Sequence, residues 1–200
     1  ITIFKVMNVY IELIKKYISP KRVAHSERVL ESALKLSKLY NANNEIIKKA
    51  ALLHDIAKNQ TPQSLEKLGI SKALFKEEYK KYPAVWHAFV ASTLIEFELP
   101  GESVPLKDAI KFHTTGKDNM SLESMIIYVA DFIEPERTHP SRLKVAELSE
   151  KKLEEAVAWV THYSLEKLKN KKVEIHPFTK KCWEYYCKYI PNSEKWHKND

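Results

Sequence analysis

Residues 50–58 read Ala50-Ala51-Leu52-Leu53-His54-Asp55-Ile56-Ala57-Lys58, an apolar run that closes on a histidine and an aspartate side by side. A buried carboxylate without a partner is costly, so Asp55 at the end of such a face needs something to neutralise it. An imidazole supplies a neutral nitrogen and a carboxylate a hard oxygen, a mixed pair suited to Fe, Mn, Zn or Co. Taken alone, the pair reads more readily as an ordinary structural contact. Its weight depends on what the rest of the chain brings beside it.

Outward from this stretch the pattern is helical. The chain has three glycines, Gly69, Gly101 and Gly116, too few for the turns of a strand-rich fold, so an all-α bundle is expected. Prolines punctuate it: Pro20, Pro62, Pro83, Pro105, Pro140 and Pro177 fall at helix starts or breaks. Periodicity and caps predict helices over Val6–Tyr17, Pro20–Tyr40, Glu45–Lys58, Pro62–Gly69, Ser71–Tyr82, Val85–Phe97, Pro105–His113, Leu122–Ile133, Ser141–Leu148, Glu150–Asn170 and Pro177–Tyr189. Successive residues on a helix are about 100° apart, so His54 and Asp55 reach one ion only at the edge of their face. The expected organisation is an N-terminal helix over 1–18, one catalytic domain over 19–190 and a polar tail over 191–200.

Six residues share a second property. His25, His54, Asp55, His87, His113 and Asp131 all sit near predicted helix ends, and a helical bundle builds metal pockets from side chains so distributed. The order His25, then His54-Asp55, then Asp131 resembles the HD superfamily of metal-dependent phosphohydrolases. The likeness is closer to one branch, the YqeK family of symmetrical dinucleoside tetraphosphatases. It is carried by Arg22-x-x-His25 with Arg28-Val29, by residues 52–58, and by Phe112-His113-Thr114-Thr115-Gly116. Ile127-Tyr128-Val129-Ala130-Asp131-Phe132-Ile133-Glu134-Pro135-Glu136-Arg137 and Ile175-His176-Pro177 complete it. The likeness spans about Ser19 to Tyr186. Ala88 and Ala91 stand where that family usually has glycine, and Lys117 where it often has arginine.

The resemblance implies hydrolysis of diadenosine tetraphosphate into two ADP. It assigns His25, His54, Asp55 and Asp131 to a divalent metal, iron first, with Mn, Co or Mg as alternatives and one ion favoured over two. Asp55, Lys58, His87 and His113 are the expected catalytic groups. His87 and His113 either contact phosphate, the preferred reading, or bind a second ion. Arg22, Lys58, Thr114, Thr115, Gly116 and Arg137 join His25, Asp55, His87, His113 and Asp131 on the substrate phosphates. A dinucleoside polyphosphate or ADP is the expected partner, with a homodimer compatible and nucleic acid not expected.

Composition limits the alternatives. With 200 residues, 44% hydrophobic and 30% charged, the chain fits one globular domain. No apolar run approaches the roughly 18 residues of a membrane span, and no secretory signal is evident near Ile1. Cys182 and Cys187 are five apart, neither a redox nor a zinc spacing, so a cytoplasmic protein with reduced thiols is expected. A net charge of +7 suits a phosphate-rich ligand, nucleic acid or plain solubility. Other nucleotide phosphohydrolases (for a nucleoside triphosphate, guanosine tetraphosphate or cyclic nucleotide) and a basic RNA-binding module therefore remain as rival readings. His139, His162 and His197 are expected at the surface. The aromatic residues near the C-terminus are expected to pack the last helices together.

Overall fold

A computed structural model describes residues 2–70 and 76–191, and within them the secondary structure is helical, without strands. The helices are α1 (Thr2–Lys15), α2 (Pro20–Tyr40), α3 (Asn44–Leu53), α4 (Pro62–Lys67), α5 (Lys76–Lys81), α6 (Trp86–Glu98), α7 (Val104–Lys111), α8 (Leu122–Ile133), α9 (Arg142–Ser149), α10 (Leu153–Asn170) and α11 (Pro177–Tyr186). A 3-10 turn, Cys187–Tyr189, follows. The start of the expected 71–82 helix, the tail beyond Pro191 and His197 lie outside the described residues.

Local chemistry accounts for most boundaries. Pro20, Pro62, Pro105 and Pro177 occupy the first turns of α2, α4, α7 and α11, where a missing N–H costs nothing. Asn43, Thr61, Ser103, Ser121 and His176 accept backbone N–H groups at the starts of their helices, and such caps are each worth about 1 kcal/mol. Asn41 ends α2 in the left-handed region at φ 54°, a conformation asparagine tolerates.

The core is made where α2, α3, α7, α8 and α10 meet. Val29, Ala33, Ile47, Ala50, Ala51, Leu53, Ile110, Ile126, Val129, Ala130 and Val157 are sealed from solvent there. Leu13, Ile14 and Ile18 add to the same cluster. The small residues Ala33, Ala50, Ala51 and Ala130 let helix axes come close, and so bring several helix ends into one region.

Several helix ends shift by a few residues from expectation, and one of these shifts bears on the site. The helix predicted to run to Lys58 stops at Leu53. Beyond it the chain winds tighter, with Ile56 N donating to Leu53 O, Lys58 N to Asp55 O and Gln60 N to Ala57 O. His54 and Asp55 therefore sit in a turn, not on a regular helix face.

Candidate metal centre

The end of α3 sets the position of His54. Its backbone N–H still bonds Ala50 O, while its ring Nδ1 lies 2.8 Å from Ala51 O. A carbonyl only accepts, so Nδ1 carries the proton and the lone pair is on Nε2. The same device recurs after α7, where His113 Nδ1 lies 2.7 Å from Ile110 O. His25, on the second turn of α2, reaches the same tautomer by another route, with Nδ1 3.2 Å from Glu134 Oε1. Three imidazoles thus present bare Nε2 atoms inward, one from α2 and two from the turns that follow α3 and α7.

Two carboxylates meet them. His25 Nε2 lies 3.1 Å from Asp131 Oδ1, yet it is a buried nitrogen without a hydrogen-bond partner, as is His54 Nε2. His54 Nε2 is 3.8 Å from Asp55 Oδ2 and 4.0 Å from Asp131 Oδ1. On the far side of Asp55, its Oδ1 is 3.1 Å from His87 Nε2 and 3.5 Å from His113 Nε2. Three overlapping sets each gather their donor atoms within 4.8 Å: His25, His54 and Asp55; His54, His113 and Asp131; Asp55, His87 and His113. Bare imidazole nitrogens and carboxylate oxygens at this spacing are a donor set that fits a divalent transition ion, and His54 Nε2 has no other partner to justify its burial.

The electrostatics agree with that fit. Burial pushes the His54 imidazole down to about 4 against the pull of Asp55, and His113 adds to the depression. Burial likewise lowers His87 to about 4, opposed by its hydrogen bond to Asp55 and helped by Lys58. Both rings are therefore neutral, the form that binds metal. Burial alone would raise Asp55, but His54, His113, His87 and Lys58 hold its carboxyl well below the usual range. Asp131, which burial would also raise, is held low by His25, Arg137 and His54.

Cations ring the cluster. Arg22 Nη1 is 2.9 Å from Asp55 Oδ2, and Lys58 Nζ is 3.6 Å from Asp55 Oδ1 and 2.9 Å from His87 Nε2. Arg137 donates from Nη2 to the Asp131 carboxylate and from Nε to the Asp131 carbonyl. Burial lowers the Lys58 ammonium against Asp55 and Asp131.

Most of the residues singled out from sequence are brought together here. Ala88 and Ala91 pack fully buried, and their methyls leave His87 in contact with Asp55. The Thr114-Thr115-Gly116 loop needs correction. The Thr115 hydroxyl is buried and donates to Gly116 O, and the Gly116 amide donates to Phe112 O, so neither is free for phosphate. Gly116 is instead steric. It sits at φ 61°, and a Cβ there would lie 2.5 Å from Cys182 Sγ on α11. Within this loop Thr114 keeps an unpartnered buried hydroxyl. His139 is not a surface group either. It is half-buried, with Nε2 2.9 Å from Phe132 O.

Glu134 is the residue that sequence reasoning passed over. Its carboxylate is almost fully buried and accepts from His25 Nδ1 (3.2 Å), Arg28 Nε (2.8 Å) and the Glu136 amide (2.9 Å). A carboxylate behind a metal-binding histidine fixes its tautomer and orientation. The sequence offers only an acid directly after the α8 pattern and before Pro135; its burial and its partners come from the fold.

The profile of the HD domain family matches residues 22–136. A protein of Bacillus subtilis named symmetrical bis(5'-nucleosyl)-tetraphosphatase is 30% identical over 144 residues, 72% of this chain and 77% of that protein. One of the same name from Halalkalibacterium halodurans is 35% identical over 136 residues, 68% of this chain and 72% of that protein. The chain belongs to the HD superfamily, in its YqeK branch. The fold agrees. A crystal structure from Clostridium acetobutylicum, described as a predicted HD superfamily hydrolase involved in NAD metabolism, superposes with a TM-score of 0.81 at 24% identity, covering 92% of this chain and 97% of that one. The matched stretch contains His25, the adjacent pair His54-Asp55, and Asp131.

Proposed function

We infer that the protein is a metal-dependent hydrolase that cleaves diadenosine tetraphosphate symmetrically into two ADP. The observation that carries this reading is the convergence of His25, His54 and His113 Nε2 with Asp55 and Asp131 on one buried region. The tetraphosphatase names of two relatives support the bond assigned. One water adds across the central P–O–P bridge, that bridge breaks, and each half leaves as ADP.

His25, His54, Asp55 and Asp131 would hold the ion, iron by family likeness. A divalent cation there supplies Lewis-acid chemistry, lowering the pKa of a water and polarising a phosphoryl oxygen. The chain's own groups do the rest. Arg22, Lys58 and Arg137, all within reach of the cluster carboxylates, offset the charge of the phosphate chain. Lys58 and His87, 2.9 Å apart, share a proton that can pass to the departing ADP. His113 and the Thr114 hydroxyl orient a phosphate.

A second ion is the other reading, favoured by the close set of Asp55, His87 and His113, with Asp55 shared between the two centres. Every group named comes from one chain, so a homodimer is not required. Among the described residues no helix is long and apolar enough to cross a membrane. Cys182 and Cys187 are buried and in no disulfide, which fits the proposed cytoplasmic setting.

The test is product analysis. Metal-loaded protein is incubated with diadenosine tetraphosphate, nucleoside triphosphates, guanosine tetraphosphate and cyclic nucleotides, and products are separated by chromatography. ADP alone from the first substrate is expected. ATP plus AMP would refute the bond, and turnover of only another nucleotide would refute the substrate. RNA affinity that falls steeply with salt and ignores chelator, with no turnover, would favour the binding-module alternative.

A further inference from the structure

A hollow of about 670 Å³ lies between α2 and α9, beside the end of α8. Leu36, Ile133 and Ala146 give it aliphatic walls, and Leu39 stays 53% exposed at its edge. No aromatic side chain is among its lining residues. Two contacts frame it. Arg142 Nη1 donates to Ile133 O at 3.3 Å and joins α9 to the end of α8. The Tyr40 hydroxyl donates to Ser149 O at 2.8 Å and joins the end of α2 to the end of α9. The hollow is thus built before any ligand arrives, and its volume falls in the range of about 300–1,000 Å³ that suits small organic molecules.

Its charge is positive. Lys35, Lys38 and Arg142 line it against one acid, Glu150. Lys35 and Lys38 are exposed and in no ion pair among the described residues, so both ammonium groups are available to an incoming anion. A nucleobase would find no ring to stack on, whereas an aliphatic body would cover Leu36, Ile133 and Ala146. The hollow also shares its walls with the metal centre. His25, Arg28, Ser32, Lys35 and Leu39 recur at steps of three and four along α2 and so fall on one stripe. Ser32 is only about 10 Å from His25 along the helix axis. Ile133 and Pro135, which line the hollow, flank Glu134, whose carboxylate receives His25 Nδ1 and Arg28 Nε.

Building on the metal-centre reading above, we propose that the α2–α9 hollow is a regulatory site for a small anion carried on an aliphatic body, and that its occupancy tightens the metal centre through Glu134. The ligand touches both sides of the Glu134 junction. It meets α2 through Ser32, Lys35 and Leu36, and the end of α8 through Ile133 and Pro135. It therefore binds best when those two elements are held together, the arrangement in which Glu134 accepts from His25. A ligand shifts an equilibrium by the difference in its affinity for the two states, so occupancy favours a correctly oriented His25. The effect is reciprocal, and bound metal tightens the hollow by the same factor.

The probe is hexane-1-sulfonate, whose headgroup is a poor metal ligand. Methanesulfonate supplies the anion without the body, and hexan-1-ol the body without the anion. One buried CH2 is worth about a fourfold gain in affinity, so metal-free wild type should bind hexane-1-sulfonate about fivefold or more tighter than either control by calorimetry. The double variant Lys35→Ala/Lys38→Ala should lose that preference; both positions are exposed and alanine keeps the helix, which circular dichroism checks. Mn(II) affinity, titrated against a chromophoric chelator, should rise about 5- to 150-fold in saturating hexane-1-sulfonate and stay within about twofold in the double variant. Hexanoate and hexyl phosphate, added to metal-free protein, then tell a carboxylate from a phosphate headgroup; a preference that the double variant loses supports the site. No preference for hexane-1-sulfonate in wild type, equal binding in the double variant, or binding that leaves wild-type Mn(II) affinity within about twofold would overturn the proposal. Wild type that binds no Mn(II) without probe overturns the metal-centre reading instead, and probe binding to metal-free protein is scored separately from it.

Discussion

Replacing Glu134 by glutamine changes one atom behind the metal centre and should disable the centre. In the wild type both Glu134 oxygens accept, Oε1 from His25 Nδ1 and Oε2 from Arg28 Nε and the Glu136 amide. Glutamine keeps the volume but has one acceptor and one donor end. Its carbonyl is claimed by the two donors on the Arg28 side, so its NH2 faces His25 Nδ1. That ring nitrogen must then become the acceptor, and the proton moves to Nε2, the atom turned toward Asp131. A protonated Nε2 has no lone pair for an ion. Loss of such an outer carboxylate typically costs 10- to 100-fold in metal affinity, or about 1.4–2.8 kcal/mol. Titration of Mn(II) against a chromophoric chelator at pH 7.5 gives the affinity. Long-range 1H–15N spectra of the histidine rings report which nitrogen carries the proton. Affinity within twofold of wild type, with His25 Nε2 still bare, would contradict the tautomer argument.

Three further expectations can be checked independently. His54→Ala or Asp55→Ala should cut hydrolysis by well over the hundredfold expected for an outer-sphere change while the far-ultraviolet helical signal persists; near-native turnover would remove the pair from the chemistry. Metal-free protein should lose stability on acidification from about pH 6.5 to 4. His54 and His87 are depressed to about 4 in the folded chain, so in that window the unfolded chain binds more protons and unfolding gains a few kcal/mol. Asp55 and Asp131 add their own loss only below the ordinary carboxylate range, and urea titrations flat across pH 4–6.5 would contradict this. Gly116→Ala should cost about 2 kcal/mol or more in thermal stability, from left-handed backbone strain and overlap with Cys182; an unchanged melting temperature would contradict the close packing of that loop on α11.

The all-α architecture was legible from scarce glycine, proline punctuation and capping residues, because these act locally. So was the grouping of His25, His54, Asp55, His87, His113 and Asp131, through the order of motifs. What could not be read was the atom-level use of the loop after His113. The letters Thr114-Thr115-Gly116 suggest phosphate ligands, but whether a hydroxyl or amide is already spent depends on Phe112 O and on α11, whose residues are distant in sequence. The end of α3 at Leu53 was hidden because the apolar spacing continues through Ile56 and Ala57 while the backbone turns to i→i+3 bonding. Glu134 and His139 escaped because their partners, His25 with Arg28 and the Phe132 carbonyl, become visible only once α2, α8 and the loop after α8 are placed.

The most direct test of the metal centre is anomalous diffraction from crystals soaked with Mn(II) or Fe(II), collected at the absorption edge of the ion. A peak within coordinating distance of His25 Nε2, His54 Nε2, Asp55 and Asp131 is expected, and a second beside His87 and His113 would add the second ion with Asp55 shared. No peak at this cluster from protein that still hydrolyses the substrate would contradict the assignment of these side chains to metal.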